Sequence, residues 1–149
     1  MDDSIGMMLA LEEAKKALNL DEVPVGAVIT YENEVISAGH NLTFNNLDAT
    51  AHAEILVIKS ACKALNSSRL IGCKLFVTLE PCCMCAGAIL QSRIPIVIYG
   101  ASDKKSGVVE SHLNIFGNGN LNHHTTIRGG IKSMESVRLL KKFFKDKRK

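Results

Sequence analysis

The chain has 149 residues, 46% of them hydrophobic and 22% charged, which predicts one globular domain over residues 1–149 and excludes an intrinsically disordered chain. No apolar run is long enough to span a bilayer, and the acidic start Met1-Asp2-Asp3 lacks the basic region of an export signal, so a cytoplasmic protein is expected. The net charge of +3 hides an asymmetry: residues 1–58 carry ten acids and two bases, while residues 59–149 carry five acids and sixteen bases.

In chain order, Met7, Leu11, Ala14 and Leu18 recur at helical spacing and predict a helix over about residues 4–18. Pro24 stops anything helical, and Val25 to Thr30 reads as a buried strand. A turn at Glu32-Asn33 and a return over Glu34 to Ala38 make a hairpin. After a polar loop, Thr50 is the expected N-cap of a second helix, with Ala51, Ile55, Ile58, Cys62 and Leu65 as its apolar stripe. Lys74 to Leu79 reads as a third strand, Pro81 opens a helix running to about Ser92, and Pro95 to Tyr99 is a fourth strand. That succession predicts a parallel βαβ unit with a right-handed crossover. Residues 100–124 are rich in Gly, Asn and Ser, with a short helix expected near 108–115. A strand over Thr125 to Arg128 and a final helix from Lys132, with Val137, Leu140 and Phe144 on one face, close the chain. The fold class is α/β, with helices on both faces of a mixed sheet.

One constellation carries chemistry. His52-Ala53-Glu54 is followed by Pro81-Cys82-Cys83-Met84-Cys85, an H-x-E and P-C-x-x-C pair that matches the signature of zinc deaminases of nucleobases. His52, Cys82 and Cys85 are three protein ligands for one Zn2+, and three ligands leave a tetrahedral position open, as in catalytic rather than structural sites. At a helix N-terminus the macrodipole favours the thiolate that binds metal. Alone, Cys82-x-x-Cys85 would suit a redox pair, and His52 an ordinary helix residue. Cys62, Cys73 and Cys83 read as packing residues. Glu54 lies two positions from His52, and such pairs do not share a face inside a regular helix. The site therefore requires His52 to project from the helix end. Zinc makes hydroxide available near neutral pH, and Glu54 is the expected catalytic proton shuttle for hydrolytic loss of ammonia from an amidine-like ring carbon.

These residues resemble the bacterial tRNA-specific adenosine deaminases, of the cytidine deaminase-like superfamily. Besides the metal motif, the resemblance is carried by Glu22-Val23-Pro24-Val25-Gly26-Ala27-Val28, Gly39-His40-Asn41, Ser68-Arg69-Leu70, Val77-Thr78-Leu79-Glu80, Ser92-Arg93-Ile94, Gly100-Ala101-Ser102-Asp103 and Leu121-Asn122-His123. It covers nearly the whole chain. It implies a three-layer α/β/α sandwich, a homodimer, no organic cofactor, and conversion of adenosine to inosine at the wobble position of a tRNA anticodon. By resemblance, Asn41 contacts the target nucleoside and Asp103 the neighbouring ribose, while Lys105, Ser106, Asn122 and His123 line the anticodon loop and Phe144 belongs to the closing helix. Asp48-Ala49, where the family often has Asp-Pro, and Cys83, where an aliphatic residue is common, depart from the pattern.

Two other functions fit the residues. A small-molecule deaminase of the same superfamily would act on guanine, cytosine or free nucleosides. A non-catalytic zinc module would bind RNA, but it has no need of Glu54.

Overall fold

The fold was analysed as a computed structural model, which describes residues 1–117 and 124–147. Its elements are α1 (Asp3–Asn19), β1 (Gly26–Tyr31), β2 (Glu34–His40), α2 (Ala53–Leu65), β3 (Cys73–Leu79), α3 (Cys83–Gln91), β4 (Ile96–Ala101), β5 (Thr126–Arg128) and α4 (Ser133–Lys147), with a 3-10 turn at Ile115–Gly117.

The sheet order is β2-β1-β3-β4-β5. The hairpin is antiparallel, and Glu32 and Asn33 both take positive φ, the conformation that matches a tight turn to strand twist. β1 pairs antiparallel with β3, while β3–β4 and β4–β5 are parallel, so the sheet is mixed and the expected βαβ unit is present.

Alternation along the strands feeds two cores. Leu75, Val77, Val97 and Tyr99 pack with Val57, Ala61, Ala86 and Ile89 of α2 and α3. Phe76, Val28 and Ile98 face the other way, against Met7, Ala10 and Leu11 of α1. Three layers result, with α1 and α4 on one side and α2 and α3 on the other. Gly6 lets α1 approach the Phe76 ring, since a Cβ there would stand 2.3 Å from it. Emptying that contact by Phe76→Ala would cost about 3–5 kcal/mol.

Five local expectations are corrected. Thr50 is not the cap of α2: its N–H and hydroxyl both donate to Asp48 Oδ1, which holds it in a turn before the helix, and the N-cap is His52. The fully buried face of α2 is Ala53, Glu54, Val57, Ile58 and Ala61, not the purely apolar stripe through Ile55 and Cys62. Pro81 precedes the α3 cap, which is Cys82. No α-helix forms near 108–115, where only the 3-10 turn at Ile115–Gly117 appears: the N–H groups of Val109, Glu110 and Ser111 are taken by the Glu80 carboxylate. In α4 the buried pair is Ser136 and Phe143, and Phe144 is exposed; the Ser136 hydroxyl donates to Thr78 O at 2.6 Å and sets the helix rotation.

Candidate metal and substrate site

The site lies where β2 and β3 end and α2 and α3 begin, the edge at which α/β folds place ligands. His52, as N-cap of α2, has extended backbone (φ −72°, ψ 152°), and Cys82, as N-cap of α3, is likewise extended (φ −81°, ψ 178°). Neither residue uses its side chain as a cap. Both are therefore free to converge, with Cys85 in the first turn of α3. The extended backbone at His52 also removes the conflict with Glu54, because the i, i+2 restriction applies only within the helix.

Nδ1 of His52 lies 3.6 Å from Cys82 Sγ and 3.5 Å from Cys85 Sγ. All three ligand atoms fall within 4.8 Å of one another, and this is the sole such group of three among the described residues. A tetrahedral zinc with ordinary Zn–S and Zn–N bonds has nitrogen-to-sulfur edges of about 3.5 Å. The donor set and its spacing thus fit that ion. Cys82 is drawn down to about 4 by the Cys85 thiol, the His52 ring and the Cys85 N–H, against the opposing effect of burial. Cys85 is pushed up by donating to Cys82 and by burial. Metal binding at these thiols would release protons, since the ligand is the thiolate.

Glu54 is 4% exposed, and burial pushes its carboxyl up to about 7. It shares a cavity of about 260 Å³ with Val23, Val25, Asn41, Thr43, His52, Leu79, Glu80, Cys82, Asp103 and Ser106. Surface depressions of about 500 to 970 Å³ lie elsewhere, but none is lined by the metal-ligand group.

Of the other residues singled out in the sequence, Asn41, Asp103 and Ser106 reach this cavity. Asn41 Oδ1 accepts from Ala53 N at 2.8 Å, supplying the cap that Thr50 does not, and its Nδ2 has no protein acceptor among the described residues. Asp103 Oδ1 accepts from Lys105 N and Ser106 N, both at 3.1 Å. Lys105 is exposed and does not line the cavity. Phe144 stands apart, over a groove with Ala101, Ser102, Val137, Leu140, Lys141 and Lys145. Asn122 and His123 lie outside the described residues. His40 is turned to α1, its Nδ1 3.0 Å from Glu13 Oε1. Cys73 is buried as expected, its thiol pushed up to about 11 by burial, whereas Cys83 is exposed rather than packed.

Two residues had no role in the sequence reading beyond the resemblance. Glu22, fully buried, accepts from Phe44 N, Asn45 N, Asn45 Nδ2 and Thr43 Oγ1. Burial raises its pKa, but these bonds outweigh it and hold the carboxyl below its ordinary value. Glu80, 2% exposed, is held low in the same way by donors from residues 103–111. A signal existed for both. Each is an acid beside a buried apolar run, and a carboxylate there must find donors.

Comparison with known proteins places this geometry. The MafB19-like deaminase family model matches residues 1–148. A tRNA-specific adenosine deaminase of Agrobacterium fabrum is 47% identical over 95% of this chain and 93% of its own length. One from Aquifex aeolicus is 49% identical over 93% of this chain and 91% of its own. A structure solved in a study of A-to-I editing by tRNA:A34 deaminases at the wobble position superposes with a TM-score of 0.88, at 46% identity, covering 91% of this chain and 99% of that one. Identity near one half, sustained across both chains and joined to the same fold, means that this chain belongs to the MafB19-like deaminases and, among them, to the tRNA-specific adenosine deaminases.

Proposed function

We propose that residues 1–149 form one deaminase domain that hydrolyses adenosine to inosine at the wobble position of a tRNA anticodon, releasing ammonia. The observation that carries this is the buried Glu54 carboxylate beside the His52, Cys82 and Cys85 group, inside a cavity that also holds Asn41 and Asp103. His52, Cys82 and Cys85 would hold one zinc ion, which supplies a Lewis acid that activates water near neutral pH. Glu54 takes a proton from the attacking water and passes it to N1 of adenine as oxygen bonds to C6. It then moves the remaining proton of the added hydroxyl to the departing amine, so the C6–N6 bond breaks, the C6 carbonyl forms and ammonia leaves. The raised carboxyl suits a group that must both accept and give a proton.

Asn41 uses its oxygen on Ala53 N, so its amide N–H groups are left to donate to the nucleoside. Asp103 and Ser106 also line the cavity, where the neighbouring ribose would lie. Lys105, Asn122, His123 and Phe144, with the basic end of α4, would meet the rest of the anticodon loop. A wobble base in a single-stranded loop is cheap to splay from its stack, and its neighbours are then read by edge contacts and stacking. The same reading makes the protein a homodimer in the cytoplasm. No helix is long and apolar enough to cross a membrane among the described residues.

The test offers a wobble-adenosine anticodon stem-loop beside guanine and cytidine and measures inosine, xanthine and uridine. Inosine from the stem-loop is the expected product. Xanthine or uridine without inosine would replace this reading with a small-molecule deaminase.

A further inference from the structure

Glu80 follows β3 and precedes the Pro81-Cys82 step, and its side chain binds the segment over 103–111, which carries Asp103 and Ser106 of the cavity lining. Asp103 N donates to Oε1 at 3.0 Å, and Ser111 Oγ donates to the same oxygen. Oε2 accepts from Val109 N at 3.0 Å, Glu110 N at 2.9 Å and Ser111 N at 3.0 Å. Every partner is a donor, and no cation pairs with Glu80 among the described residues. The loop comes this close because residue 107 is glycine; a Cβ there would stand 2.3 Å from Glu80 Cδ. Gly107 N in turn donates to Asp103 O at 2.8 Å, and Asp103 Oδ1 holds the N–H groups of Lys105 and Ser106. A continuous set of bonds thus runs from Glu80 through Asp103 to Ser106, and both ends of it face the cavity.

We propose that Glu80 is a positioning residue for substrate: its buried carboxylate fixes Asp103, and through it Ser106, against the cavity that holds Glu54. The inference rests on the deaminase reading above for its kinetic consequences, but not for its structural ones.

The two oxygens of Glu80 are unequal, and this makes the idea testable. A glutamine at this position can keep its carbonyl oxygen toward the three N–H groups of residues 109–111. Its NH2 then occupies the Oε1 position. There the Ser111 hydroxyl can rotate to accept, but the Asp103 N–H cannot. Glu80→Gln therefore releases Asp103 while residues 109–111 stay held. Ser111→Ala does the reverse at the same oxygen, removing one bond and leaving that of Asp103.

The experiment compares full-length, zinc-loaded wild type with Glu80→Gln, Glu80→Asp, Ser111→Ala, Asp103→Ala and the Glu80→Gln/Asp103→Ala double variant. It reads residue-resolved amide exchange, zinc content, and kcat and KM on the wobble-adenosine stem-loop. In Glu80→Gln, exchange at Asp103 should quicken about tenfold while Val109, Glu110 and Ser111 change little, as loss of one net hydrogen bond predicts. KM should rise about fivefold to tenfold with kcat changed less than threefold and zinc retained, the pattern of a lost binding contact. The double variant should be no worse than about twofold beyond Asp103→Ala, because the two changes act through one contact. Ser111→Ala should stay within about twofold of wild type. Glu80→Asp keeps the charge but withdraws it by one methylene, so it should raise KM in the same direction if the glutamine variant does not fold. Unchanged Asp103 exchange in a folded, zinc-bound Glu80→Gln or Glu80→Asp overturns the proposal. So do KM effects that multiply in the double variant. Wild type that makes xanthine from guanine and no inosine from the stem-loop sinks the functional reading instead, and Asp103 exchange still decides the positioning role.

Discussion

The two walls of the cavity are built by different means. The metal wall is short-range: His52 and Glu54 are two residues apart at the start of α2, and Cys82 and Cys85 three apart at the start of α3. Only one long-range event, the meeting of two helix N-termini, assembles it. The wall that carries Thr43, Asp103 and Ser106 is anchored mainly by long-range bonds. Glu80 reaches residues 103–111, and Glu22 reaches residues 43–45, each through a buried carboxylate that serves backbone N–H groups of an irregular segment. The contrast shows how one pocket combines a donor set that spacing specifies with loops that have no regular structure of their own. Buried acids do for those loops what a helix ladder does elsewhere, giving each N–H a partner.

The sharpest way to break the contrast is to remove a metal ligand. Cys82→Ala or Cys85→Ala should lose zinc, from about one equivalent per chain, and all measurable activity together, because two ligands cannot hold a three-ligand site. Elemental analysis and ammonia release check this, and zinc retained in both variants would place the metal elsewhere. Next in size is Glu54→Gln, which should keep zinc and RNA binding while turnover falls by about 10²- to 10⁴-fold. Loss of zinc in that variant would make Glu54 a metal ligand rather than a proton carrier.

Asn41 joins the two walls, since it caps α2 and faces the cavity. Asn41→Ala should lower stability by about 0.5–2 kcal/mol through the lost bond to Ala53 N, and should raise KM as well. Denaturant unfolding and kinetics on one preparation separate the two effects. The smallest effect concerns Glu22 and is read against pH. Its folded pKa lies below the ordinary 4.5, so its stabilisation is complete above that value and fades as pH falls through the depressed folded pKa. Glu22→Gln cannot titrate at this position. The Tm gap to wild type should be widest near neutral pH and close below about pH 4.5. A gap that is constant with pH would mean that the loop over 43–45 is held without the charge.

Some of this was legible in the residues. The mixed sheet, the hairpin and the βαβ unit followed from short apolar runs such as Val25 to Thr30 and Lys74 to Leu79, bounded by turn and proline signals. The ligand group was legible because metal chemistry restricts residue type and spacing together. The face of α2 was misread because periodicity ignores a buried charge: Glu54 belongs to the covered face beside Val57 and Ile58, and an apolar stripe cannot contain it. The rotation of α4 was missed for the same reason, with Ser136 buried by its bond to a strand carbonyl.

The sequence by itself determined which side chains can bind a metal and move a proton, since donor atoms, acidity and short spacing are properties of the residues. Only the tertiary structure decided which acids are buried and what they hold. Glu22, Glu54 and Glu80 are the same residue type, each near an apolar run, yet two hold loops and the third faces the metal ligands. The physical reason is that a buried carboxylate takes its role from the donors the fold brings to it, and those donors lie some 20 to 30 residues away in the chain.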